Sequence, residues 1–276
     1  MAGLKFVLSG VKFTDPNLPV LGADPILTNG SLILVDMSKV DGSIPVSGSL
    51  LSNLAEDKAK VLAGGSSTVT LSYGVADTGV SKVSRTPKGG IYFANKPEVI
   101  TNPFPANYLK IEVLGAIKDY IMANYKSLDK SKNHDFYFSL WMEIAYVGSS
   151  TFGVSQLANI SNHNVAKVYY FERAVGLTAG RVKFSKKADQ YGSSDPTNSN
   201  TVWHLFNAGK VGLNSYKIEE RKPESTIFYR YYAEDLTVSG RTFDQVSAID
   251  QALYDAAFSQ GGKFFGDNYS NPASLF

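Results

Sequence analysis

The sequence contains no cysteine. That removes disulfides, thiolate nucleophiles and cysteine-built zinc sites in one step. Histidine is scarce too, with three in 276 residues. His134, His163 and His204 lie far apart, so the chain has neither an HExxH motif nor a His-x-x-x-His pair. No stretch approaches the roughly 20 apolar residues that a spanning helix needs, and membrane insertion is not expected. No long run of one charge occurs. The 27 basic and 25 acidic residues leave a net charge of +2, which argues against a nucleic-acid footprint. The start, MAGLKFVLSGVKF, has an apolar stretch too short and too broken by charge for a secretory signal. Walker spacing, GxGxxG and the GxSxG elbow are all missing. Nothing therefore supports a nucleotide-binding enzyme, an oxidoreductase or a serine hydrolase.

What is abundant points to β-structure. Hydrophobic residues make up 43% and aromatics 12%, with 16 Tyr and 16 Phe, residue types that suit strands. The clearest strand is HDFYFSLWMEIAYVG, 134–148. Phe136, Phe138, Leu140, Met142 and Ile144 alternate with Tyr137, Ser139, Trp141, Glu143 and Ala145. Period 2 over this length predicts a central strand with one face in the core. Further strands are expected at SLILVD (31–36), TVTLSYG (68–74), GGIYFAN (89–95), NYLKIEV (107–113), VAKVYYF (165–171), GRVKFS (180–185), TVWHLFN (201–207), STIFYRYYAE (225–234) and DLTVSG (235–240).

Three helices interrupt them. LSNLAEDKAKVLAGG reads as one, with Leu51, Leu54, Val61 and Leu62 on one face and Gly64 and Gly65 as the stop. Leu114, Ile117, Ile121 and Tyr125 trace a second. The third begins at Thr242, with Gln245 in capping-box spacing, and ends near Phe258. After it, QGGKFFGDNYSNP reads as a helix stop at Gly261 or Gly262, a short Phe264-Phe265 strand and a turn at 266–268. A phosphate loop would precede a helix, not follow one. Asp267 and Asn268 remain candidate ligand contacts in that turn. Many strands, few helices and no βαβ alternation predict an antiparallel jelly-roll β-sandwich. Residues 1–65, punctuated by DPNLP and ADP, read as an N-terminal arm, and 66–276 as the sandwich domain.

Candidate chemistry is sparse. A sandwich-fold glycosidase needs two carboxylates at working separation, and the best strand offers Glu143 alone. Glu143 beside Trp141 suggests a sugar platform. Trp203, Asp189 and Tyr191 complete the candidate glycan set, since stacking with polar contacts is what sugar recognition requires. Core packing is the competing role for both tryptophans. The long polar loop 186–200 holds Asp189, Asp195 and Asn198, oxygen donors that suit calcium although no EF-hand spacing is present. No other cofactor is expected.

The order "DFYFSLWMEI", "VAKVYYF", "GRVKFS", "TVWHLFNAGK" and "LTVSGRTFDQVSAIDQALYDAAFSQGGKFFGDNYSNP" resembles the concanavalin-A-like (laminin-G-like) jelly-roll domain, across residues 66–276. The two ends, MAGLKFVLSGVKFTDPNLP and GGKFFGDNYSNPASLF, are similar to those of tailed-bacteriophage virion proteins that carry this domain. The late helix is longer than the usual insert of the family. The resemblance implies a non-enzymatic virion structural protein, in tail, baseplate, fibre or capsid decoration, assembled in the host cytoplasm. It also implies an arm that docks on other virion proteins, a homo-oligomer, and a sandwich that binds host-surface glycans or neighbouring subunits. The alternatives are a glycan-degrading enzyme on the same fold and a non-viral soluble lectin.

Overall fold

The computed structural model describes residues 24–40, 42–98, 107–125, 134–148, 152–159, 166–173, 178–188, 200–209 and 224–276. Two six-stranded antiparallel sheets face each other, as the alternating segments predict. The first runs β10 (Gly180–Lys187), β7 (Phe136–Tyr146), β12 (Ser225–Asp235), β5 (Ile91–Asn95), β4 (Ser81–Arg85), with β1 (Ser31–Asp36) also on β12. The second runs β2 (Leu50–Leu51), β3 (Ser67–Gly74), β6 (Tyr108–Gly115), β11 (Thr201–Gly209), β8 (Phe152–Asn159), β9 (Lys167–Arg173).

The period-2 pattern on β7 does what it predicts. Phe136, Phe138, Leu140, Met142 and Ile144 all enter the core between the sheets. They meet Leu71, Ile111, Trp203, Phe206 and Tyr231 there. Each such side chain, fully buried, contributes roughly 1.5–3 kcal/mol. The strand is central, flanked by β10 and β12. Its other face is buried as well. Helix α4 (Phe243–Phe258) and the chain after it lie over that face, and Tyr137 and Trp141 pack beneath them.

The N-terminal segment is not an arm down to residue 65. All six residues of β1 are buried. It pairs with Arg230 to Glu234 of β12, while β5 takes Thr226 to Phe228 on the same strand. One long strand thus carries two short partners end to end. β2 extends the second sheet, and α1 (Glu56–Ala63) packs on β1 and on α2 (Ala116–Asn124). Residues 24–65 therefore belong to the sandwich, and the domain begins earlier than 66. The physical reason is the apolar LILV run, 32–35, which needs cover on both faces. The buried face of α1 also differs from expectation: Ala59 faces in, and Val61 is 83% exposed. Leu51 is buried from β2 instead.

Two further expectations change. DLTVSG is not a strand after Asp235. Asp235 accepts a hydrogen bond from the Val238 amide, and Leu236–Ser239 coil into the four-residue helix α3, closed by Gly240 at φ +69°. An Asx-type cap outcompetes extension there. Phe264-Phe265 is a turn rather than a strand. Phe264 donates its amide to Ala257 and buries its ring against Tyr229 and Phe258. α4 itself is as expected, with the Thr242–Gln245 capping box closed in both directions.

Candidate functional site

Five residues were expected to form a glycan site, and three of them, Trp141, Glu143 and Trp203, are among the described residues. Trp203 is fully buried between the sheets, where its indole nitrogen donates to the Tyr169 and Tyr231 hydroxyls. Trp141 is fully buried under α4. Its indole nitrogen donates to Asp250, and the Arg230 guanidinium sits 4.5 Å from its ring. Neither indole face is open to a sugar. Core packing wins for both because Trp203 points between the two sheets and α4 covers the other face of the first sheet over Trp141. Asp189 and Tyr191 lie outside the described residues, as do the calcium donors Asp195 and Asn198. Among the described residues no group of three or more His, Asp or Glu is placed to hold a metal.

Glu143 is the exception. It reaches the layer between β7 and the C-terminal segment and is 8% exposed. Tyr269 donates to Oε1 at 3.0 Å, and Tyr229 and Arg181 donate to Oε2 at 3.2 and 3.3 Å. The Tyr229 hydroxyl also lies 3.0 Å from Asp267 Oδ2. Asp267 takes Thr86 on Oδ2 at 2.6 Å and the Lys88 amide on Oδ1 at 2.9 Å. Two carboxylates separated by 124 positions in sequence thus converge on one phenol. Burial first, then the charges of Asp267 and Glu143, hold Tyr229 well above the usual phenol range. It stays a donor at every ordinary pH.

This arrangement fastens the C-terminal segment to the turn between β4 and β5. Gly90 lets it close: a Cβ there would lie 2.6 Å from Ile227 and 2.8 Å from Tyr229. Gly266, at φ +66°, supplies the left-handed residue of the expected turn at 266–268. Between the fastened segments an open cleft of about 450 Å³ remains. Ser84, Arg85, Tyr92, Asn268, Tyr269 and Ser270 line it. The Tyr92 and Tyr269 rings meet at 5.2 Å, tilted by 53°. Arg85 is spoken for by the Met37, Val40, Gly42 and Gly89 carbonyls, so it shapes the wall. Burial, the nearby Glu143 charge and the bond to it push the Tyr269 hydroxyl up to about 12.

The sequence reading of the 266–268 turn located Asp267 and Asn268 but not the cleft. Thr86, Tyr92 and Tyr269 carried no motif. Aromatic and polar residues of ordinary type become a wall only when β4–β5 meets the end of the chain.

A second charged layer lies beside Trp141. Arg230, 1% exposed, pairs with Asp24 at 2.7 Å and Asp36 at 3.3 Å, and Lys263 pairs with Asp36. Burial pushes Asp36 up, but the Lys263 and Arg230 charges outweigh it and hold its carboxyl below the usual value. Asp250 of α4 accepts from Tyr137 and Trp141 and lies 3.4 Å from Lys183. These groups tie Asp24 and Lys263 to the first sheet.

No protein-family model matches the chain, and no curated protein matches it. Among solved structures the chain is similar to the CBM22-1 xylan-binding domain from Paenibacillus barcinonensis. The two share 9% identity with a TM-score of 0.29, over 75% of this chain and 95% of that one. A likeness of that size transfers no residue role.

Proposed function

We propose that the chain is a non-enzymatic β-sandwich of a bacteriophage particle, and that it holds a host-surface glycan in the cleft between β4–β5 and the C-terminal segment. The observation that carries the binding reading is the cleft itself. It combines the Tyr269 ring, backed by the buried Tyr92, with the polar edges of Ser84, Asn268 and Ser270. An aromatic wall with a few convergent polar groups is the chemistry a sugar ring requires. Tyr269 is fixed in place by its bond to Glu143, so little ordering is left for the ligand to impose.

The non-enzymatic reading is supported by the state of the acids. A glycosidase needs one carboxyl free to donate and another free to attack or to activate water. All four oxygens of Glu143 and Asp267 are engaged by internal donors. The virion assignment, with assembly in the host cytoplasm and docking to other virion proteins, rests on the resemblance of residues 66–276 and of the two ends.

A glycan array with wild type and Tyr269→Ala tests the binding half. Signals that Tyr269→Ala abolishes support the cleft; an array without signals sinks it. Detection of the chain in purified particles by mass spectrometry tests the virion half. Release of reducing ends from a bound glycan would instead favour the enzyme.

A further inference from the structure

Two lysines of one strand and its turn flank the cleft between β4–β5 and the C-terminal segment. Val83 packs toward the core between the sheets, so strand alternation turns Lys82, Ser84 and Thr86 to the outer face of β4. Their partners agree: Ala94 and Tyr92, opposite Lys82 and Ser84, lie in the apolar layer of that face. Ser84 and Thr86 line the cleft. Lys82 stands one outward position before Ser84, about 7 Å away at strand spacing. Its ammonium donates to the carbonyl of Leu275, a residue of the cleft wall, and lies 4.9 Å from the centre of the Phe276 ring.

Lys88 flanks the other end. It follows Pro87, which lines the cleft, and its amide donates to Asp267 Oδ1 at 2.9 Å, one residue before Asn268 of the opposite wall. Both lysines are exposed. Among the described residues neither has an acid within ion-pair distance. The neighbouring acids are engaged. Glu143 and Asp267 are buried, with their oxygens taken by internal donors. Asp77, ahead of β4, turns its carboxylate to the Gly79 amide at 2.9 Å. A cleft flanked by two ammonium groups, with the carboxylates around it engaged, concentrates anions.

We propose that the cleft takes an acidic glycan, one whose sugar carboxylates lie against Lys82 and Lys88 while a ring packs on Tyr269. An ammonium has three donors. Lys82 gives one to Leu275, which holds the group at the rim and leaves the others for a carboxylate. Ser84, Asn268 and Ser270 serve the sugar hydroxyls from the walls. A neutral glycan makes the same wall contacts but gains nothing from the lysines, and an amino sugar is repelled by both. The inference rests on the glycan-binding reading above and adds to it the charge of the ligand.

The test is an array of carboxylated and neutral glycans, probed with the full chain and with Tyr269→Ala, followed by titration of the strongest carboxylated glycan and of its methyl ester. The expected signals come from carboxylated glycans and vanish in Tyr269→Ala. Lys88→Gln, at an exposed turn, should weaken binding of the acid roughly two- to fivefold, the worth of an exposed charge pair, and leave the ester unchanged. Raising salt from about 0.01 M to 1 M, which cuts the screening length from about 30 Å to 3 Å, should weaken the acid and not the ester. Signals from neutral glycans alone that need Tyr269, or equal binding of acid and ester, would overturn the acidic ligand and leave the cleft standing. Carboxylated glycans that bind Tyr269→Ala as well as wild type would place the acid elsewhere and overturn both. An array without signals also overturns both.

Discussion

The Trp141 indole on β7 donates to Asp250 on α4, 3.1 Å away and 109 residues later. The same carboxylate accepts from Tyr137 and faces Lys183. Helix and sheet are thus joined by a polar contact inside an aromatic layer. Asp250→Ala leaves the indole, a phenol and a lysine without their acceptor. A loss of about 3–5 kcal/mol is expected for breaking a buried charged contact. Asp250→Asn keeps an acceptor and should cost less. Urea denaturation of the two variants checks the order, and equal losses would show that the charge and its bonds contribute little.

Arg230 lies between two carboxylates. Among the described residues Arg230→Met leaves Asp24 and Asp36 with Lys263 alone to balance them, and should cost about 3 kcal/mol or more. Adding Asp24→Asn should recover part of that loss, because one uncompensated charge is gone. A double-mutant cycle measures the coupling. Simple additivity would contradict the pairing.

Gly262 follows α4 where the chain folds back on it. A Cβ there would lie 2.0 Å from the Ala256 carbonyl oxygen and 2.5 Å from that of Ala257. Both are helix backbone and cannot swing aside. Gly262→Ala should cost about 1–3 kcal/mol, the range for overpacking. A melting temperature equal to wild type would show that the turn relaxes freely.

Glu112 gives the protein an acid-sensitive element. The His204 bond chiefly, with Lys110, pulls its carboxyl from 4.5 to about 2 against burial. A depressed folded value means stability present above the unfolded pKa and lost as pH falls through the folded one. The gap in unfolding free energy between wild type and Glu112→Gln should be full above 4.5 and close as pH approaches 2. A gap constant across that window would remove Glu112 from the acid response.

Much of this architecture is local and so was legible from sequence. Alternation on β7 fixed which residues face the opposite sheet, because successive side chains point to opposite faces whatever lies around them. Thr242 and Gln245 fixed the start of α4, because a capping box closes within four residues. The missing cysteines excluded a whole chemistry without any fold at all.

What covers each second face was decided only in three dimensions. The alternation of β7 distinguishes Trp141 from Met142, but it cannot say that α4 will seal the indole away. SLILVD reads as a strand, yet its place on β12 depends on contacts 200 residues apart. Glu143 and Asp267 share Tyr229 only because the closing segment returns to β4–β5. Local geometry is encoded residue by residue, whereas burial and partnership depend on which distant surface arrives, and no period or spacing records that.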